Sequence, residues 1–215
     1  IGIEVPRNPR EFIYLDEVLQ TPVFNESNNR LPIAMGKDAF GEVAVVDLAG
    51  MPHMLVAGAT GAGKSVFINT LLVSLIIKKS PKELKLVLID PKQLELALFS
   101  TLPHLMLPVI TEAKSAAISL LWAVEEMERR YKFLESIGKK KIDPKRDSLN
   151  RIVIAIDECT DLLGKVPRTH SDYQHINQAI EHCDKLARKA RACGIHIVLA
   201  TQKIDQSSIP TRIQE

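Results

Sequence analysis

Cysteine is scarce in this sequence and cannot be paired off. Cys159, Cys183 and Cys193 are odd in number and none is spaced as C-x-x-C, which argues against a disulfide framework or a zinc site and fits a reducing, cytoplasmic compartment. An excess of charge of one sign is missing too. With 28 Lys and Arg against 26 Asp and Glu, the formal net charge is only +2. The chain as a whole therefore does not declare a polyanionic partner, and any nucleic-acid surface must be local. Long hydrophobic runs are also lacking: stretches such as residues 68–77 are too short to cross a bilayer and are interrupted by polar residues, and nothing resembles a signal peptide. What remains is the ordinary composition of a soluble protein, 46% hydrophobic and 25% charged over 215 residues. That suffices for one large domain, or a domain with a small appendage, around a substantial core.

Against this plain background, residues 55–65, LVAGATGAGKS, stand out. Gly58, Ala59, Thr60, Gly61, Ala62, Gly63, Lys64 and Ser65 complete the G-x-x-x-x-G-K-[ST] phosphate-binding pattern. The apolar run 53–57 predicts a buried strand before it, and residues 65–77 predict a helix after it. Each residue type has a reason: the glycines let backbone N–H groups turn inward around phosphates, Lys64 reaches the β- and γ-phosphates, and the Ser65 hydroxyl serves Mg²⁺. The helix N-terminus, with Val66 in its first turn, adds its positive end to the cradle. ATP and Mg²⁺ are the implied ligands.

Ahead of the loop, residues 1–30 carry Pro6, Pro9 and Pro22 and a short helical stretch near 14–20, the look of a lead-in with weak structure of its own. Residues 31–35 and 42–47 predict a β-hairpin laid against the nucleotide-binding core. After the loop helix, residues 84–90 form a continuous apolar run ending in an acid, a buried parallel strand, followed by a short helix over 93–99. Thr111 is placed to cap a long helix to about Ser136, with Ala117, Leu120, Leu121, Val124, Met127, Tyr131 and Leu134 as its buried stripe. Residues 138–146 are a basic loop, with Lys139, Lys140, Lys141, Lys145 and Arg146 either solvated or touching DNA. A strand over 151–156, a helix over about 172–192 and a strand over 194–200 complete a three-layered α/β sandwich with a mainly parallel sheet.

The strand at 151–156 runs into Asp157 and Glu158. Ligands of open α/β sheets bind at the carboxyl ends of strands, so Asp157 is expected to hold Mg²⁺ beside Ser65, and Glu158 to polarise an attacking water. A helix N-terminal acid pair is the alternative reading of the two carboxylates. A complete additional strand lies between the phosphate-loop segment and the Asp157 segment. With Glu158 this fits ATPases that carry a catalytic glutamate rather than GTPases or small-molecule kinases. The last strand delivers Thr201 and Gln202 to the same edge, where Gln202 is suited to sense the γ-phosphate or simply to make a structural bond.

Several blocks together resemble the motor domain of the FtsK/SpoIIIE family of double-stranded DNA translocases: GIEVP at 2–6, GKD at 36–38, MPHMLVAGATGAGKS at 51–65, IDPKQLEL at 89–96, LPHL at 102–105, EMERRY at 126–131, KARACGIHIVLATQ at 189–202 and IPTRI at 209–213. The resemblance covers nearly the whole chain. It implies a RecA-like ATPase that forms a homo-hexameric ring around duplex DNA, with residues 1–50 as a lead-in and hairpin and 51–215 as a C-terminally truncated motor core. It further implies a cytoplasmic motor whose full-length relatives are anchored in the inner membrane. Carried over by position, Lys64, Ser65, Asp157 and Glu158 keep the roles given above. Arg191 matches an arginine finger acting on the neighbouring subunit's nucleotide, against the alternative of a helix C-terminal cation. Lys203 matches a pore residue touching DNA phosphates, a contact without sequence information.

The departures from the family pattern are a short segment, 203–208, before IPTRI, a short stretch between Tyr131 and Arg151, and Cys159 and Thr160 after the acid pair where Phe and Ala are usual. A coupling or secretion ATPase moving conjugative DNA or protein is the runner-up motor reading, and a nucleotide-binding assembly module with little turnover is the reading from another class.

Overall fold

The computed structural model describes residues 12–143, 147, 149–164 and 166–202. Its centre is a four-stranded parallel sheet in the order β3(Met54–Ala57), β6(Ile195–Thr201), β5(Arg151–Ile156), β4(Leu84–Ile89). Residues alternate between the two faces with the period of two that a pleated strand imposes. Ile152, Ile154 and Ile156 of β5 pack with Val87, Ile89, Ile195 and Ile197 under α4(Ala113–Ser136) and α6(Tyr173–Lys189). Val153 and Ala155 of the same strand face the other way, with Leu86, Leu88 and Val198, under α3(Lys64–Lys78). Both faces are covered, so these strands read as unbroken apolar runs and the chain forms three layers.

The lead-in folds onto the outside of α3. Helices α1(Leu15–Leu19) and α2(Pro22–Asn25) precede an antiparallel hairpin of β1(Pro32–Lys37) and β2(Val43–Asp47). Leu31, Ile33 and Leu48 are fully buried in the same cluster as Leu71, Leu72 and Leu75 of α3. The Ser74 hydroxyl accepts the Ala34 N–H at 3.2 Å, so the hairpin is joined to the helix by polar as well as apolar contacts.

The structure departs from expectation in particular places. The strand before the phosphate loop is not buried on both faces but lies at the sheet edge, alternating half-buried and exposed residues, with Leu55 47% exposed. In α4 the cap position is Glu112 rather than Thr111. The buried stripe of α4 keeps Ala117, Leu120, Val124, Met127 and Leu134 but leaves Leu121 and Tyr131 partly exposed and takes in Arg130 instead. An arginine is tolerated there because its donors are satisfied: Nη1 bonds the Asn150 and Cys193 carbonyls at 2.7 and 2.9 Å, Nη2 the Asn150 side chain, and Nε the Glu126 carboxylate. Residues 93–99 form a turn and then a 3-10 turn, Leu96–Phe99, rather than one helix. The helix expected to about residue 192 ends at Lys189 and continues as a second 3-10 turn, Ala190–Cys193. No described helix is long and apolar enough to cross a membrane.

Candidate active site

The phosphate loop lies between β3 and α3, at the carboxyl ends of the strands. Gly61 and Gly63 have φ of +80° and +95°, values that L side chains rarely adopt, so the loop can close into a cradle of inward N–H groups only with glycine there. Gly63 is the N-cap of α3. Gly58 donates to the Thr201 carbonyl at 3.1 Å, which fastens the loop to the end of β6.

β6, not β5, is the neighbour of β3. The last strand in sequence therefore sits between the phosphate-loop strand and the acid-bearing strand, and brings Gln202 between Thr60 and Glu158. The Gln202 side-chain oxygen accepts from the Thr60 hydroxyl at 3.1 Å, and its backbone N–H donates to Glu158 Oε1 at 3.2 Å. Thr160 donates to the same Oε1 at 2.9 Å. Glu158 itself has φ +44°, a strained conformation for a residue with a side chain, of a kind that clusters at functional sites.

Lys64 is buried and donates to Asp157 Oδ1, with Glu158 Oε2 3.9 Å from its ammonium. Lys92 approaches the same Oε2 at 3.8 Å and Asp161 at 3.6 Å. Burial alone would raise the Glu158 carboxyl; the Gln202 N–H, the Thr160 hydroxyl and the two lysines outweigh it and hold the pKa below the usual range. Glu158 is thus ionised, as a base must be, while Oε2 is buried with no hydrogen-bond partner. Such an orphaned acceptor faced by cations is a place for a polar ligand group or a water.

The Ser65 hydroxyl donates to Glu95 Oε1 at 2.7 Å. Among the described residues, no group of three or more His, Cys, Asp or Glu side chains is arranged to hold a metal by itself. Ser65 and Asp157 fit instead the usual Mg²⁺ arrangement in nucleotide sites, in which one or two protein oxygens add to phosphate oxygens and water. Val66, in the first turn of α3, is largely exposed.

Sequence reasoning overlooked Lys92 and Glu95 as members of this site. The signal was available: Asp90 ends a parallel strand just as Asp157 does, and the strand-end rule that singles out Asp157 applies equally to the residues after β4.

Arg191 is not brought to this site. It lies on the 3-10 turn before β6, where its Nη2 donates to the Gly50 carbonyl. Seven-residue β6 separates it from Gln202 by roughly 20 Å of strand. At that opposite end of the sheet is a cavity of about 450 Å³ lined by Arg30, Lys140, Lys141, Arg188, Lys189 and Arg191, with Arg151 at its floor and no carboxylate in its lining. Of the basic loop, Lys140 and Lys141 therefore face this cavity, Lys139 pairs with Asp147, and Lys145 and Arg146 lie outside the described residues. Lys203 also lies outside them. The three thiols are buried and unpaired, and burial pushes Cys159 and Cys183 up to about 12 and Cys193 to about 11; these are packing residues rather than nucleophiles.

A glycine cradle at a strand-to-helix turn, a buried Lys64 against Asp157, and Glu158 held by the end of β6, all on a parallel sheet between helices, define a P-loop ATPase. Within that class the chain belongs to the FtsK/SpoIIIE family, which residues 14–152 match. It is 43% identical over 230 aligned residues to the DNA translocase FtsK of Clostridium tetani and, over the same length, 43% identical to the DNA translocase SftA of Bacillus subtilis. The alignments take in 99% of this chain but only 30% and 23% of those relatives, so the chain spans under a third of either. Among solved structures it resembles the pCW3 conjugation coupling protein TcpA, in a monomer form with ATPγS, at a TM-score of 0.76 and 27% identity over 87% of this chain and 52% of that one. The cytoplasmic domain of EssC shares the fold at a TM-score of 0.69 and 20% identity, over 86% of this chain and 35% of that one.

Proposed function

We propose that this chain is the ATP-hydrolysing motor part of a double-stranded DNA translocase, working on the cytoplasmic side as a homo-hexameric ring, with residues 1–50 as a lead-in packed on a core that runs from residue 51. The observation that carries the reading is the separation of Arg191 from its own phosphate loop by the length of the sheet, beside a cavity lined only by cations and neutral groups. A cation so placed has no substrate phosphate within its own subunit to act on, and a second copy of the chain supplies one. The relatives' names, DNA translocase, support duplex DNA as cargo.

Bound ATP·Mg²⁺ supplies the γ-phosphoryl group and a cation that neutralises its developing charge. In the chain, the loop N–H groups and Lys64 bind and orient the phosphates, and Lys64 exchanges its bond to Asp157 for them. Ser65 and Asp157 hold the metal. Glu158, already ionised, takes a proton at Oε2 from the water whose oxygen bonds to the γ-phosphorus as the bond to the β-phosphate oxygen breaks and ADP leaves. Gln202, bonded to Thr60 on the loop and to Glu158, registers changes at either and passes them along β6. Arg191 reaches the neighbouring copy's nucleotide, and Lys203 touches DNA phosphates.

The test is steady-state ATP hydrolysis with and without long duplex DNA over a range of chain concentrations, beside Glu158→Gln. Stimulation by DNA that rises cooperatively with concentration and vanishes in the variant is expected; hydrolysis at every concentration without response to DNA overturns the DNA-motor reading. The likeness to a conjugation coupling protein supports a second reading, a coupling or secretion ATPase, for which hydrolysis indifferent to duplex DNA would speak. Nucleotide binding without turnover would leave an assembly module.

A further inference from the structure

Three residues after β4, Asp90, Lys92 and Glu95, form an arm of the site that the phosphate-loop and strand-end motifs do not contain. Asp90 is buried, and its carboxylate accepts four backbone N–H groups: Lys92 and Gln93 on Oδ1 at 3.1 and 2.9 Å, Glu95 and Leu96 on Oδ2, both at 3.0 Å. Those bonds hold Gln93 at φ +57°. Gln93 and Glu158 are the two non-glycine residues with positive φ among those described, and they follow the adjacent strands β4 and β5. Leu96 and Phe99 anchor the far side of the arm in the α3 core. The construction is rigid, and what it delivers is a carboxylate 2.7 Å from the Ser65 hydroxyl and a cation 3.8 Å from the orphaned oxygen of Glu158.

We propose that Glu95 is a positioning residue of the metal site, which sets the Ser65 hydroxyl for cation binding. A serine hydroxyl has one proton to donate and two lone pairs to offer. Left alone, the proton rotates and competes for the direction a cation needs. Donation to Glu95 fixes the proton toward that carboxylate, leaves both lone pairs available to a cation and raises the electron density on Oγ. Outer-shell partners of this kind govern metal affinity by about 10- to 100-fold. The proposal rests on the nucleotide-site reading above.

Binding of methylanthraniloyl-ATPγS to the chain, followed by fluorescence while Mg²⁺ is titrated, tests it without requiring turnover. In Glu95→Ala the Mg²⁺ concentration for half-maximal enhancement of binding should rise by about tenfold, a larger change than any in nucleotide affinity measured in EDTA. Glu95→Gln keeps an acceptor for the Ser65 proton and should shift the midpoint by less than Glu95→Ala does. In a Ser65→Ala background, Glu95→Ala should add nothing. An unchanged Mg²⁺ requirement in Glu95→Ala overturns the proposal while leaving the nucleotide site intact. A full effect persisting in Ser65→Ala overturns action through Ser65. Failure of the unaltered chain to bind the nucleotide at all overturns the site reading, and this one with it.

Discussion

The two ends of the central sheet are built from opposite electrostatic designs. At the carboxyl ends of the strands, cations and carboxylates interleave: Lys64 lies between Asp157 and Glu158 and Lys92 between Glu158 and Asp161, while buried Asp90 is held by backbone N–H groups. At the amino ends, seven cations surround one cavity and no carboxylate lines it. There Arg151, buried beside Arg30 and Arg130, has its pKa lowered to about 10, chiefly by desolvation, and it donates to a neutral imidazole, His196, at 3.3 Å. Interleaved charge makes the first end competent to wait for a ligand that takes Lys64 over from Asp157. The second end keeps a local excess of positive charge even though Arg188 pairs with Asp184 and Asp47 lies near Arg151.

The sharpest way to break this comparison is to test whether the two ends work on each other's nucleotide. Arg191→Ala should leave nucleotide binding unchanged and lower hydrolysis by about 10³-fold or more. Mixing it with Glu158→Gln should restore part of the activity, since each copy then supplies what the other lacks. Failure to complement, or loss of nucleotide binding in Arg191→Ala, would place Arg191 in a structural role. Glu158→Gln alone should reduce hydrolysis by about 10²- to 10⁴-fold with binding retained, and a single-turnover assay locates the loss in the chemical step.

At the amino end, Arg130→Ala strips the guanidinium from the Asn150 and Cys193 carbonyls and leaves Glu126 to Arg129 alone; a stability loss of about 3 kcal/mol is expected, read as a lower urea midpoint. The smallest effect is acidic. Burial, then the charges of Arg151 and His53, partly offset by Asp47, depress His196 to about 3. The unfolded chain, with an ordinary histidine near 6.5, binds the proton first, so stability is full above about pH 6.5 and falls by at most about 2 kcal/mol by pH 5. Thermal melts from pH 7 to 5 should show the decline, and His196→Gln should reduce it, leaving the part due to His53, whose pKa burial also lowers.

Much of the catalytic end was legible in the sequence because its parts are contiguous in the chain. Residues 58–65 carry their geometry in their own glycines, and residues 151–158 place two acids at a strand end. The exposure of Leu121 and Tyr131 and the burial of Arg130 were not legible, because the partners that decide them, Asn150 and Cys193 for Arg130 and the Lys189 carbonyl for Tyr131, come from distant segments. The hydrogen bond between Glu95 and Ser65 was hidden for the same reason, since 30 residues separate the two along the chain.

By itself the sequence determined the phosphate loop, the strand-end acids and the apolar strands that demand a covered parallel sheet, since each follows from local backbone freedom, side-chain chemistry or the period of a pleated strand. Only the tertiary structure decided that β6 enters between β3 and β5, that Gln202 therefore bridges Thr60 and Glu158, and that Arg191 and the loop lysines gather around one cavity at the far end. Strand order and loop convergence depend on which surfaces bury one another, and that is a property of the whole chain.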